Sequence, residues 1–369
     1  MIATSAPARI AIEEVTAAAY RIPTDSLESD GTYEWHDTTM IVARVRAGGE
    51  RGIGYTYASA TAARLIDDVL ADRVRAVDAM NIPAAWLGMV ESVRNIGRAG
   101  IASMAIAAVD NALWDLKAKL LGVPLVALLG ATRESVRVYG SGGFTSYSNE
   151  RLHDQFAGWA ALGITMMKMK VGREATADPD RVRVAREAIG PDRALFVDAN
   201  GAYERKQALA LAQEFSKYGV TWFEEPVSSD DLEGLRLIRD NAPPGMAIAA
   251  GEYGFDLPYF CRMLDAGAVD FLQADATRCA GITGFLRAGA LCEARSLPMS
   301  AHCAPSVHIA ACCALPQIVH LEYFHDHARI EHMLFDGALE PVNGELRPDV
   351  SRSGLGIELK ERDAARYLL

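Results

Sequence analysis

Eight ionisable side chains recur at a nearly constant interval along the last two thirds of the chain: Lys168, Lys170, Asp198, Glu224, Glu252, Asp275, His302 and Glu322. From Lys170 onward the gaps are 28, 26, 28, 23, 27 and 20 residues, each about one strand plus one helix. Each group closes a short apolar run. Strands of a parallel barrel all point the same way, so such groups converge on its C-terminal rim, where barrel enzymes keep their chemistry. Burying so many charges is costly unless a cation and a substrate compensate them.

Asp198, Glu224 and Glu252 end consecutive candidate strands. Neighbouring strands lie about 4.8 Å apart, close enough for three carboxylates to share one ion. Oxygen-only ligands favour a hard divalent cation, and Mg²⁺ leaves positions open for substrate. Taken singly, each acid is equally well a strand-end cap or a partner for a helix arginine. Lys168 and Lys170, at i and i+2, point to one side of their strand. An ammonium beside another ammonium and a cation loses proton affinity and can act as a base. The alternatives are two solvated lysines, or a lysine that forms a Schiff base. Asp275 and His302 end neighbouring strands, so the carboxylate can fix the imidazole tautomer and raise its basicity. Taken alone, His302 would read as structural. His36, His308, His320, His325, His327 and His332 have no partner identifiable in the sequence.

The elements that must position these groups follow from pattern. Candidate strands are Val136–Ser141, Met166–Val171, Ala194–Asp198, Val220–Glu224, Ala247–Gly251, Val269–Ala274, Pro298–Ala301 and Val319–Leu321. Helices with charged outer faces lie between them, among them Asp178–Ile189 and Glu204–Tyr218. This alternation predicts a (β/α) barrel. A doubly wound nucleotide fold is disfavoured, because neither G-x-x-x-x-G-K-[ST] nor an early G-x-G-x-x-G is present. The first third reads differently. Strands are expected over Ile10–Tyr20 and Thr39–Ala47, the second ending in a Gly48-Gly49 hairpin signal. Helices are expected over Ala60–Val77, Ala84–Arg94 and Ile101–Leu121, the last stopped by Gly122 and Pro124. Between the two strands, Pro23 to Asp37 reads as a long polar loop of the kind that serves as a lid or binding loop. The expected organisation is an α+β capping domain over 1–134, a barrel over 135–339, and a tail from about 340 to 369 returning to the cap.

Composition narrows the classes. The chain has 369 residues, half of them hydrophobic, enough for a large core without staples. A net charge of −11 repels phosphates and anionic lipid, so no nucleic-acid or membrane partner is expected. Six cysteines crowd the last third with no C-x-x-C spacing, which fits neither a disulfide scaffold nor a thiolate zinc site. The segment Met1–Arg9 has no apolar core and reads as a frayed tail. With no apolar run long enough to span a bilayer, the chain reads as cytoplasmic.

Taken in order, the motifs resemble the enolase superfamily, mandelate racemase subgroup, over nearly the whole chain. They run from Ala105-Ile106-Ala107-Ala108-Val109-Asp110-Asn111-Ala112-Leu113-Trp114-Asp115 to Leu129-Gly130. They continue through Lys168-Met169-Lys170, Val197-Asp198-Ala199-Asn200, Trp222-Phe223-Glu224-Glu225-Pro226, Gly251-Glu252, Gln273-Ala274-Asp275 and Ser300-Ala301-His302. The resemblance implies a modified (β/α)₇β barrel of the TIM type under an α+β cap, with Mg²⁺ on Asp198, Glu224 and Glu252. It implies Lys170 as base on one face of the substrate, with Lys168 lowering its pKa. It implies His302, oriented by Asp275, as acid or base on the other face, and Glu322 as the acid bonding the substrate carboxylate. The shared step, loss of the proton α to a carboxylate, is likewise the family's. The family is usually oligomeric, so a homo-oligomer is expected, although no interface signature stands out.

Two outcomes use the same inventory: racemisation or epimerisation of a 2-hydroxy acid, and dehydration of an acid sugar to a 2-keto-3-deoxy acid. The polar stretch Pro23–Asp37, with Tyr33 and His36, favours a polyol substrate and hence the hydro-lyase. Tyr33 and Trp35 also offer an aromatic floor that would suit an aryl acid. Ser141, in Gly140-Ser141-Gly142-Gly143, and Asn200 are the remaining candidate substrate contacts. A Schiff-base aldolase and a non-catalytic acid-binding barrel are the remote alternatives.

Overall fold

The computed structural model describes residues 9–369, so the expected frayed tail lies, apart from Arg9, outside the described residues. Three antiparallel strands open the chain: β1 (Glu14–Ser29), β2 (Glu34–Ala47) and β3 (Glu50–Tyr57). The long loop expected over Pro23–Asp37 is instead mostly paired strand. Arg21 faces Thr39, Ile22 faces Thr38 and Pro23 faces Asp37, then after a register shift Glu28 faces Trp35. β1 is an edge strand, where proline is tolerated because one side of its backbone needs no partner. The remaining turn, Asp30–Tyr33, is pinned by Asp30, whose Oδ1 accepts from the backbone of Thr32 at 2.6 Å and of Tyr33 at 2.7 Å.

β3 was not evident in the sequence because Gly52 and Gly54 interrupt it. The helix Ile101–Leu120 lies directly against these glycines. A Cβ at Gly54 would meet the Ala112 nitrogen at 2.3 Å and the Ala108 oxygen at 2.4 Å. The helix expected over Ala60–Val77 runs from Thr61 to Val74 with a π turn at Ile66–Leu70.

The barrel strands are β4 (Val136–Gly142), β5 (Met166–Lys170), β6 (Ala194–Asp198), β7 (Val220–Glu224), β8 (Ala247–Ala250), β9 (Phe271–Ala274), β10 (Met299–Ala301) and β11 (Ile318–Phe324). Each is parallel to its neighbour, and β11 closes on β4 through Leu321↔Val138 to Phe324↔Ser141. A helix follows each of the first seven, giving the (β/α)₇β arrangement. Short pairs complete the sheets: β12 (Phe335–Asp336) with β14 (Glu358–Leu359), and β13 (Glu345–Leu346) antiparallel to β4. The end of the chain touches the cap, where Leu369 N–H donates to Ala19 O at 2.9 Å and Arg44 pairs with Glu361 at 2.9 Å.

Alternation along the strands puts every second side chain inside the barrel. Low in the barrel this inward set is largely aromatic: Tyr139, Phe196, Trp222 and Phe271 pack around His320, with Met166 beside them. Two residues further along the same strands come Lys168, Asp198, Glu224, Gln273 and Glu322. A dry apolar seat therefore underlies the charged rim.

Buried groups of the helix Ile101–Leu120 tie cap to barrel. Asp110 accepts from Thr283 N and Oγ1 at 2.8 and 2.7 Å, and Asn111 accepts from Ile282 N at 3.0 Å. Among the described residues all six cysteines are free, and no helix is long and apolar enough to cross a membrane.

Candidate active site at the mouth of the barrel

Asp198 and Glu224 are register partners at the ends of β6 and β7, and Glu252 follows β8. One oxygen from each lies within 4.8 Å of the others, and all three carboxylates are buried. Their donor set is oxygen-only and crowded. Burial first, then the neighbouring Asp198 charge, pushes the Glu224 carboxyl up to about 8 despite Lys168. Glu252 Oε2 has no hydrogen-bond partner, although His302 Nε2 lies 2.9 Å away. Close contact without hydrogen-bond alignment accounts for both facts. Three converging carboxylates of this kind fit Mg²⁺. Trp222 Nε1 donates to Glu224 Oε2 at 2.9 Å and orients it from below.

Lys170 Nζ lies 2.5 Å from Asp198 Oδ2, and Lys168 Nζ lies 2.6 Å from Glu224 Oε1 and 2.8 Å from Glu322 Oε1. The expected loss of proton affinity at Lys170 does not follow from this geometry. Burial disfavours the ammonium and Lys168 repels it, but Asp198, helped by Glu252 and Glu224, more than offsets both, so the pKa is raised. Lys168 is raised as well: burial opposes its charge, but Glu224 and Glu322 hold it.

Across the rim, His302 Nδ1 lies 2.9 Å from Asp275 Oδ2. Burial works against the Asp275 carboxylate, yet the bond and charge of His302 hold its pKa well below the usual range. Burial likewise opposes an imidazolium at His302, but the surrounding Glu252, Glu322 and Asp275 lift its pKa above the ordinary value. Asp275 is itself fixed by Thr277 N at 2.6 Å and Thr277 Oγ1 at 2.7 Å. Glu322 Oε2 accepts from Cys303 N at 3.2 Å.

A cavity of about 480 Å³ joins these groups to the cap. Lys170, Asn200, Glu252, His302 and Glu322 line it from the barrel; Asp30, Thr32, Tyr33, Trp35, Asp37 and Tyr57 line it from the cap. The turn Asp30–Tyr33 sits directly on the barrel: a Cβ at Gly31 would meet Ala199 O at 2.5 Å and Val171 O at 2.7 Å. Of the candidate substrate contacts, Asn200, Tyr33 and Trp35 reach this wall, and Asn200 Oδ1 is buried without a partner. His36 does not. It lies between Trp35 and Asp37 on the opposite face of β2, with its side chain 86 % exposed. Ser141 is also outside the lining, fully buried in register with Lys168.

Several neighbours of these groups carry no signal of their own in the sequence. Cys303, which had carried no signal beside His302, places Sγ 3.3 Å from His302 Nε2 and lines the cavity. Arg278 donates to Glu252 O at 3.1 Å and lies over the Tyr253 ring. Glu225 is buried beside Glu252, with burial and that charge raising its pKa. Histidines without an identifiable partner in the sequence mostly have one in the fold. His308 Nε2 accepts from Ala276 N at 2.7 Å, His320 Nδ1 meets Ser300 Oγ at 2.8 Å, and His325 Nε2 meets Asp25 Oδ2 at 2.9 Å. Apart from Cys303 with its neighbour His302, these contacts join residues at least 20 positions apart. Only the spacing of Glu225 in Trp222-Phe223-Glu224-Glu225-Pro226 offered a local signal.

Comparison with known proteins agrees with this geometry. Residues 29–130 match the mandelate racemase/muconate lactonizing enzyme N-terminal domain, and residues 151–364 match the enolase C-terminal domain-like family. The chain therefore belongs to the mandelate racemase subgroup of the enolase superfamily. A mandelate racemase/muconate lactonizing enzyme-like protein from Rubrobacter xylanophilus superposes with a TM-score of 0.95 at 54% identity, covering 97% of this chain and 100% of the other. The L-talarate/galactarate dehydratase of Salmonella typhimurium is 32% identical over 88% of this chain and 82% of its own length. Its structure with Mg and L-lyxarohydroxamate superposes with a TM-score of 0.91 at 28% identity, covering 100% of this chain and 96% of that one. The 3,6-anhydro-alpha-L-galactonate cycloisomerase of Streptomyces coelicolor is 34% identical over 86% of this chain and 88% of its own length. The chain is thus an enzyme of hydro-lyase or racemase type, and its cofactor is Mg²⁺.

Proposed function

We propose that the protein removes the proton α to the carboxylate of an acid sugar and then expels the β-hydroxyl as water, leaving a 2-keto-3-deoxy acid. The observation that carries this reading is that Lys170 and His302 line one cavity from β5 and from the end of β10. In the closed ring of eight strands these positions are three strands apart one way and five the other, nearly across from each other. A substrate between them meets one proton carrier on each face.

The extra proton of Lys170 is held by the charges of Asp198, Glu252 and Glu224. Lys170 would give it up once a bound cation neutralises those charges, and the neutral amine would take the α-proton as the C–H bond breaks. His302, held through Nδ1 by Asp275, delivers a proton to the departing β-hydroxyl as the C–O bond breaks. The resulting enol then becomes the ketone. Lys168 flanks Lys170, and Glu322 bonds the substrate carboxylate. Asp198, Glu224 and Glu252 hold Mg²⁺, which supplies electrostatic stabilisation of the charge developing on that carboxylate. The aromatic seat beneath the buried rim keeps water from this charge on the barrel side. Asn200, Tyr33 and Trp35 meet the rest of the substrate.

A racemase or epimerase of a 2-hydroxy acid is the second reading. It is favoured by the aromatic wall, where the Tyr33 and Trp35 rings stack at 6.2 Å and Trp35 meets the Phe144 edge at 5.6 Å. A panel of acid sugars and aryl 2-hydroxy acids with Mg²⁺ separates the two. Accumulation of a 2-keto acid supports dehydration; product inverted at the α-carbon with no keto acid supports the racemase.

A further inference from the structure

The two walls of the cavity differ in charge. The cap side carries two carboxylates, Asp30 and Asp37, and among the described residues it has no lysine or arginine in the lining. Asp37 is flanked by His36 Nε2 at 3.5 Å and Arg21 at 3.8 Å, both with more than half the side chain in solvent and neither with a place in the wall. On the barrel side the cations are already engaged. Lys170 faces Asp198, and Arg278 donates to the Glu252 carbonyl while lying 3.7 Å from Asp275. Thr32, Thr38 and Ser59, also in the cap wall, offer hydroxyls. At the cavity edge Tyr57 Oη and His327 Nδ1 are both buried without a hydrogen-bond partner. Burial drives the His327 pKa down to about 3, so at neutral pH this ring is an uncharged hydrogen-bonding group.

We propose that the cavity selects a monocarboxylic acid sugar with a neutral, hydroxylated far end and rejects the corresponding diacid. One carboxylate is accommodated at the rim. A second, carried to the other end of the same molecule, meets Asp30 and Asp37 with no free cation to neutralise it. A hydroxymethyl group in its place meets acceptors and hydroxyls that it can bond. The selection is thus partly repulsive, a means of discrimination that contacts to the preferred ligand alone do not supply. This inference rests on the acid-sugar reading above.

The test uses the full-length Mg²⁺-loaded enzyme and pairs of six-carbon aldonates and aldarates of the same configuration, which differ only at C6. Like-charge juxtaposition typically costs several kcal/mol, so kcat/KM should favour the best aldonate over its aldarate by about a hundredfold or more. Asp37→Asn should narrow that ratio about tenfold by raising turnover of the aldarate. A preference for the aldarate, or a ratio that Asp37→Asn leaves unchanged, would overturn the proposal. Exchange of the α-proton in D₂O, measured on the same pairs, separates the two levels. Exchange with either class alongside diacid preference defeats only the selectivity, whereas no exchange with any acid defeats the acid-sugar reading itself.

Discussion

The rim of the barrel and the hairpin that covers it are built on opposite terms. At the rim every charged group lies on or just past a strand of one closed parallel sheet, and its place is set by the hydrogen-bonded register of that sheet, as with Lys170↔Asp198↔Glu224. In the hairpin β1–β2 the residues facing the cavity are held by one turn at the tip and a register shift between Pro23 and Glu28. The rim can change little without losing its chemistry. The hairpin can change side chains while the strands stay paired. Chemistry on the barrel and selection on the cap are the natural division of such a molecule.

Three substitutions sharpen this contrast, in decreasing order of effect. Asp275→Asn strikes the rim without emptying it. The imidazole of His302 loses the carboxylate that fixes its tautomer and stabilises its charge, so kcat should fall about 10²–10⁴-fold with KM little changed. Steady-state kinetics on the best acid checks this; a change confined to KM would move Asp275 out of the mechanism. Gly31→Ala strikes the hairpin. Its Cβ would press on Ala199 O and Val171 O, at 2.5 and 2.7 Å, so the tip must lift from the barrel. KM should rise about tenfold or more while α-proton exchange survives, since an overpacked contact typically costs about 1–3 kcal/mol. Abolished exchange would instead place the tip in the chemistry.

The smallest effect concerns the joint between the two regions. Burial pushes the Asp110 carboxyl up to about 7, well above its unfolded value near 4. Between these values the folded state binds the extra proton. Its stabilisation is therefore complete below about pH 4 and is lost as pH rises through 7. Asp110→Asn mimics the protonated form at every pH, so its Tm should gain on that of the wild type between pH 5 and pH 8. A gap that stays constant over this range contradicts the assignment.

The same contrast explains what could be read in advance. A parallel barrel repeats one unit, so a charged residue after each apolar run is enough to assemble the rim by counting. Pro23, polar alternation and Gly31 hid the hairpin, because an edge strand that borders a cavity lacks an apolar face to reveal it. In β3 the residues that masked the strand, Gly52 and Gly54, are those the helix Ile101–Leu120 needs for close approach. His36 went to solvent because alternation along β2 turns it away from Trp35 and Asp37. Arg278 and His308 reach Glu252 and Ala276 through contacts between distant segments, for which a single sequence carries no periodic trace, and nothing in the pair His302-Cys303 announces that the thiol faces the cavity.

The proposed reaction requires two proton carriers, Lys170 and His302, to reach the α-carbon of one bound acid from opposite faces. Its most direct test is α-proton exchange in D₂O with Mg²⁺, followed by NMR for both α-epimers of a substrate in Lys170→Ala and His302→Asn. Loss of exchange for one epimer in the first variant and for the other epimer in the second is the expected result. Exchange of both epimers in both variants, or loss of both in only one of them, would contradict the account.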